Sequence, residues 1–332
     1  MADGALYCLC FFILTIYAPG SSRAELVIPF QTRDQNPLLL GYGLPHPGTP
    51  QLLEKGRQRV YISSNVSNTL IDQRKDNEQL LVDGETFNLN LIWEYGFKDD
   101  WNIRLTLPFI SHAGGGLDHF IEEFHATFNF PNGERSNHPQ NRLLFLYQRD
   151  GDEKLRLDQS GSGVGDISVA VAKQLAQDSN HAVSLWSSLK LPTGDAEALT
   201  GSGSTDFAVW LSAAYPLQDN WQLYYGGGLL WMSQGEILPS QQKSFVGFGS
   251  FGIEWRPMPK RFSGFRLKMQ ADAHSAFFRG SQLKFLNESI QLVSGGSINL
   301  SRNLVLELGV GEDILVNASP DVNFYITLRR SF

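Results

Sequence analysis

Residues 87–109 read FNLNLIWEYGFKDDWNIRLTLPF, and this stretch decides the fold. Phe87, Leu89, Leu91, Trp93, Tyr95 and Phe97 alternate with Asn88, Asn90, Ile92, Glu94 and Gly96. After Lys98-Asp99-Asp100, a tight polar turn, the alternation resumes at Trp101, Ile103, Leu105, Leu107 and Phe109. A period of two across a short turn is the mark of a β-hairpin. Its runs are longer than the usual five or six residues of soluble strands. Long alternating strands joined by short turns on one side point to a barrel that crosses a bilayer.

The same shape recurs outward from this hairpin. Phe207 to Tyr215 leads through Gln218-Asp219-Asn220 to Trp221, Leu223 and Tyr225. Phe265 to Ala273 and Leu304 to Val310 alternate in the same way. The runs begin near residues 57, 84, 101, 163, 181, 204, 221, 244, 264, 287, 303 and 321. The fold class read from them is all-β, an antiparallel transmembrane barrel of about twelve strands. A further hairpin, 143–148 with 154–159, falls inside the longest loop, and counting it as membrane strands gives fourteen. Short connections near 98, 178, 219, 260 and 301 alternate with longer ones near 70–83, 112–162, 193–203, 234–243, 276–286 and 315–320. Periplasmic turns and extracellular loops alternate like this. Phe97, Trp101, Tyr215, Trp221, Trp255, Phe262 and Phe265 near the turns, and Phe109, Trp231, Phe277 and Phe278 near the loops, are expected to form aromatic girdles.

Composition agrees. The chain has 332 residues, 12% aromatic and 18% charged, and a net charge of −7, which argues against a nucleic-acid partner. A mean hydropathy of −0.19 excludes several apolar helical spans but not a barrel. Residues 1–24 read as a signal peptide, with Ser22 and Ala24 before the cleavage point. Both cysteines, Cys8 and Cys10, lie within it, so no disulfide, thiolate metal site or Cys nucleophile is expected in the mature chain. Residues 25–56 carry Pro29, Pro37, Pro45, Pro47 and Pro50 and form an irregular N-terminal extension or plug ahead of a barrel at 57–332. Gln35, Asn36 and Pro37 are its candidate plug residues.

With the apolar set facing lipid, the lumen is lined by Glu94, Arg104, Asp166, Lys190, Glu254, Arg256, Arg266, Lys268, Asp272, Glu307 and Arg329. These charges select solutes in an open pore, or pair and fill the interior. Phe120, Ile121, Phe124 and Phe128 fall at helical spacing in the long loop, after Gly114-Gly115-Gly116. That amphipathic helix constricts the lumen, covers its mouth or caps the barrel end. Asp118, Glu122 and His125 on its other face make only a weak metal signal, and no metal or cofactor is assigned. No catalytic residue is assigned either. His274 and Ser275 point to opposite faces of a strand, His181 and Ser184 are equally unconvincing, and no nucleophile elbow occurs.

Gly163-Val164-Gly165-Asp166-Ile167, Leu189-Lys190-Leu191-Pro192-Thr193-Gly194-Asp195 and Gly201-Ser202-Gly203-Ser204-Thr205-Asp206-Phe207 resemble the barrel family named for the meta-pathway of phenol degradation. Gln35-Asn36-Pro37-Leu38-Leu39-Leu40, Tyr42-Gly43-Leu44-Pro45 and Phe120-Ile121-Glu122-Glu123-Phe124-His125 resemble a proteobacterial family known as domain of unknown function 3187. The second resemblance covers nearly the whole mature chain and implies a bacterial outer-membrane barrel without implying a reaction. The chain's end, Asn323 to Phe332, resembles the signal read by the barrel assembly machinery, with Arg330 departing from it. The expected partners are that machinery, outer-membrane lipid and a small-molecule solute, hydrophobic if the first family is a guide. Alternatives are a non-conducting structural or surface barrel with a filled interior, and a soluble periplasmic β-protein.

Overall fold

The computed structural model describes residues 27–332 apart from 120–122, 124–126, 128–137, 179–180, 219, 258–263 and 316–317. The signal peptide, Phe262 and the four loop-helix residues Phe120, Ile121, Phe124 and Phe128 lie outside the described residues.

Twelve antiparallel strands form the closed wall. They are β1 (Gln58–Lys75), β2 (Glu78–Lys98), β3 (Trp101–Ala113), β7 (Ser168–Gln177), β8 (Ala182–Lys190), β9 (Asp206–Gln218), β10 (Trp221–Met232), β11 (Phe245–Trp255), β12 (Phe265–His274), β13 (Ser289–Ser301), β14 (Leu304–Asp313) and β15 (Val322–Ser331). β1 pairs with β15 from Arg59↔Ser331 to Asn68↔Val322, which closes the barrel and uses both edges. Three further strands, β4 (Leu144–Arg149), β5 (Asp152–Leu157) and β6 (Gly161–Val164), lie in the long loop. β4 pairs with the first residues of β2 and β6 with the last of β3, so the hairpin extends the sheet beyond the wall and the strand number is twelve, not fourteen.

The wall has two unlike ends. At one, the turn end, β2 passes to β3 and β13 to β14 within a few residues. At the other, the loop end, lie 114–119, 138–143, 191–205, 233–244 and 275–288. The connection expected near 70–83 is not a loop. β1 and β2 run on as paired strands to Lys75↔Glu78, and the chain reverses at Asp76-Asn77, with Asp76 at φ 50°. Asp and Asn tolerate that left-handed backbone, so a two-residue turn suffices.

Along each strand, one set of side chains is buried and the other exposed. Leu91, Leu229, Phe245, Phe251, Met269, Leu308 and Ile326 are exposed apolar residues of the outer face. A soluble sandwich buries such side chains, whereas a bilayer solvates them. Trp221 stacks on Trp255 at 5.3 Å between ring centres at the turn end. Phe109 and Trp231 are exposed toward the loop end. Phe277 and Phe278 do not join a girdle. They are buried in the loop 275–288 against Tyr42, because that loop folds inward rather than along the rim.

Candidate functional site: the occupied lumen

Residues 27–53 run inside the barrel. The five prolines and the lack of alternation deny this segment a regular element of its own, so its backbone needs partners from the wall. They come from inward-facing polar side chains. Lys268 Nζ donates to Ile28 O at 2.8 Å. Phe30 N donates to Gln270 Oε1 at 2.9 Å, and Gln270 Nε2 donates to Phe30 O at 3.2 Å. Thr32 Oγ1 donates to Asp272 Oδ2, and His274 Nε2 lies 2.8 Å from Asp34 Oδ2. Each pair is separated by 240 positions. The segment therefore ascends beside β12 in the same direction, two residues for two, from turn end to loop end.

At the top, the chain reverses. Asn36 O accepts from Leu39 N and Leu40 N, and Asn36 Nδ2 donates to Phe285 O in the 3-10 turn Lys284–Leu286. Gln35 Oε1 accepts from Asn88 Nδ2 at 3.2 Å, and Pro37 is buried. Arg33 pins the reversal by donating to the carbonyls of Leu40, Tyr42 and Leu44. Leu38, Leu39 and Tyr42 then pack with Ile237, Phe277, Phe278 and Phe285 of the inward-folded loops. Tyr42 OH donates to Ile237 O at 2.9 Å, which satisfies the one polar atom carried into this dry layer.

The descending limb uses different strands. Gly43 N donates to Asp206 Oδ2, Arg104 Nη1 to Pro47 O, Ser212 Oγ to Gly48 O, Ser184 Oγ to Thr49 O, and Leu52 N to Gln174 Oε1. The order runs from loop end back to turn end. Gly48 passes so close to the stacked pair Trp186 and Trp210 that a Cβ there would stand 2.5 Å from Trp186 Nε1. Only glycine fits that approach.

The expected lumen residues all point inward or lie at the inner rim, and all but Asp272, which accepts from Thr32 and Gln270, are ion-paired. Glu94 lies between Arg59 and Arg104, with Arg104 Nε donating at 2.8 Å. Arg104 also stacks over Trp186 at 4.3 Å. Lys268 and Arg329 share Glu307. Arg256 and Arg266 share Glu254 at the turn end. Lys190 Nζ reaches Asp166 at 2.7 Å, Asp206 at 3.0 Å, Ser202 Oγ at 2.6 Å and Gly41 O at 3.1 Å. Three sequence stretches, 163–167, 189–195 and 201–207, thus converge on one buried ammonium ion. Burying a charge is tolerated where partners replace its water.

Sequence reasoning missed Gln270, Asp34, Arg33 and the Trp186–Trp210 pair. Gln270 was visible only as a polar member of an alternating strand. Arg33 and Asp34 carried no signal, since an irregular chain shows no register against a strand, and Trp186 and Trp210 meet only through the β8–β9 register. At the loop end, Tyr147 OH donates to Glu78, and burial together with that carboxylate pushes the phenol up to about 12. The helical turn 117–119 is tied down by Glu85, whose Oε1 accepts from Gly116 N, and by Asp118, which bonds Asn68 and Asn141. Asp118 is thus engaged by protein groups, while Glu122 and His125 lie outside the described residues. His274 turns into the lumen, and Ser275 Oγ accepts from Gly247 N. Ser184 Oγ is spent on Thr49 O, and His181 sits exposed on Asp178, so neither candidate hydrolytic pair is formed.

A lumen threaded twice by its own N-terminal segment fits the quoted motif Gln35–Pro45, and the sequence match extends over residues 6–332. The chain belongs to the family described as Protein of unknown function (DUF3187). No curated protein matches it. Among solved structures, the DUF3187 chain is similar to the COG4313 outer membrane channel from Pseudomonas putida F1. That likeness has 12% identity and a TM-score of 0.56, over 86% of this chain and 99% of that one. Weaker likenesses are to the KdgM porin in complex with disordered oligogalacturonate (8% identity, TM-score 0.43, 82% of this chain and 99% of that one) and to the Ralstonia pickettii toluene transporter TbuX (9%, 0.39, 84% and 90%). The first establishes a shared barrel fold. The DUF3187 protein is an outer-membrane-type β-barrel whose lumen holds its own residues 27–53.

Proposed function

We propose that this protein is a restricted outer-membrane channel for a small solute, with residues 27–53 as its plug. The turn end then faces the periplasm and the loop end the outside, as barrels of this kind are oriented. Outer-membrane lipid meets the apolar outer face, and the assembly machinery reads the strand ending at Phe332. One observation carries the reading. The irregular segment enters and leaves the lumen through the same mouth and is held mainly by side-chain hydrogen bonds, so it withdraws whole without breaking the wall. Each such bond contributes about 0.5–1.5 kcal/mol net, and water in an opened lumen replaces it.

The test is planar-bilayer conductance of the full chain against a chain lacking residues 27–50. The expected result is rare or small openings for the first and large, steady ones for the second. A deletion variant that keeps its heat-modifiable gel mobility yet conducts nothing overturns the channel reading.

A second reading has its own support. The lumenal charges named above other than Asp272 are ion-paired, which suits a non-conducting structural barrel with a filled interior. On that reading, neutralising Arg266 or Glu254 lowers barrel stability and changes no conductance. Membrane insertion itself is tested by fractionation. A band in outer membranes whose mobility shifts on boiling supports it, and a soluble periplasmic product without a shift removes both readings.

A further inference from the structure

Outside the plug, at the loop end, three pieces of the chain enclose an open pocket of about 590 Å³. Strand β5 and the residues just after it form one side, and the loops 191–205 and 233–244 form the others. The two loops are joined directly, since Glu236 N donates to Ser202 O at 2.8 Å. The volume falls in the range of small-molecule sites. The floor is apolar. Leu155, Leu157, Ala196, Leu199, Ile237 and Leu238 line it, and they belong to or pack against the layer that holds Leu38, Leu39 and Tyr42 of the inner segment. The floor of the pocket is thus the roof of the plug.

Two features set this pocket apart. The first is its backbone. Leu199 and Leu238 stand in the left-handed region, at φ 54° and 47°. Every other non-glycine residue there, among the described residues, is an Asp or Asn, which tolerates it. A leucine in that conformation is strained and persists only where its surroundings hold it, and such positions cluster at ligand sites. These two come from different loops and line the same pocket. The second feature is its charge. Lys154 pairs with Asp152 at 2.9 Å, and Arg156 pairs with Glu153 at 3.2 Å and Asp158 at 2.7 Å, so the cations on the β5 side are matched locally. Across the pocket, the Glu197 and Glu236 carboxylates have no partner among the described residues.

We infer that this pocket binds a small organic cation with an apolar body. The body lies on the leucine floor, and the cationic group is attracted by Glu197 and Glu236. An anion is repelled by the same two carboxylates, and a neutral molecule gains only the apolar contact. The inference deepens the channel reading and rests on it for the cation's onward passage. Binding and conduction are nevertheless measured separately. A chain lacking residues 27–50 that conducts, beside a full chain that binds no cation here, overturns this inference alone. Cation binding beside a deletion chain that conducts nothing overturns the channel alone.

The experiment is fluorine NMR of 4-fluorobenzylamine, a cation at neutral pH, with the full-length barrel in phosphatidylcholine nanodiscs, against empty nanodiscs. 4-Fluorobenzyl alcohol and 4-fluorobenzoate serve as the neutral and anionic probes. The expected result is saturable broadening of the amine by the barrel, severalfold weaker binding of the alcohol and none of the benzoate. The preference for the amine fades as salt rises, because the carboxylates are exposed. Glu197→Gln and Glu236→Gln each weaken amine binding about two- to fivefold, as loss of an exposed ion pair implies. The double variant binds the amine no better than the alcohol. Ala196→Trp, which fills the pocket, abolishes binding of both. Should Ala196→Trp fail to fold, the glutamine variants decide. Absence of saturable amine binding, equal binding of amine and alcohol by the parent chain, or an amine preference that survives in the double variant overturns the inference.

Discussion

The Gln270 carboxamide and the Phe30 peptide bond each other twice, one group donating at 2.9 Å and the other at 3.2 Å. The side chain copies the donor–acceptor pair that a neighbouring strand offers, although Phe30 belongs to no strand. Gln270→Leu keeps the size and removes both bonds. A loss of about 1–3 kcal/mol in the seating of residues 27–36 is expected, from two unmet backbone groups. Hydrogen exchange at Phe30 and its neighbours measures it, and the wall amides of β12 serve as the control that stays protected.

Glu94 lies between Arg59 and Arg104 and ion-pairs with both. Glu94→Gln removes the anion that the two guanidinium groups share. Breaking a buried ion pair from one side costs about 3–5 kcal/mol. The temperature at which the folded gel band disappears is expected to fall. Adding Arg104→Met restores part of it, because the uncompensated charge is then gone.

Tyr42 ties the top of the inner segment to the inward loops through Phe277, Phe278 and Ile237. Tyr42→Ala opens a void in that layer, and large-to-small changes of this kind cost about 3–5 kcal/mol. The loops 233–244 and 275–288 are expected to become protease-sensitive while the wall stays intact. Tyr42→Phe loses only the hydroxyl, and its cleavage rate stays near that of the parent.

Leu229 is 63% exposed on the outer face of β10. Leu229→Arg is expected to cost up to about 2–4 kcal/mol in lipid, as charge does near the midplane of a barrel. Urea unfolding in liposomes measures this. No loss in lipid contradicts the assignment of that face to the bilayer.

Period-two alternation located the wall because lipid and lumen demand opposite side chains at consecutive positions. The starts of β3, β10 and β12 lie at or within one residue of the sequence reading for that reason. The β1–β2 extension was hidden, since Asp76-Asn77 reads as part of a polar loop until its φ is seen. Phe277 and Phe278 were misread because adjacent aromatics near a strand end look the same whether the loop lies along the rim or folds inward. The prolines of 25–56 excluded regular structure there, but the path of the ascending limb depends on partners 240 positions away and that of the descending limb on partners 57 to 164 positions away. Nothing local encodes such contacts. The charges were legible as inward-facing, and their grouping into triads came only with the strand register.

The ascending limb repeats every two residues, so its backbone alone has no preferred position along β12. A slip of one repeat toward the turn end would put Asp34 opposite Asp272, carboxylate against carboxylate. A slip the other way would take Asp34 from His274 and set Thr32 in its place. Side-chain chemistry thus acts as a detent on a chain that could otherwise slide. Release of the segment in the proposed channel is then expected to free the whole limb at once rather than in small steps.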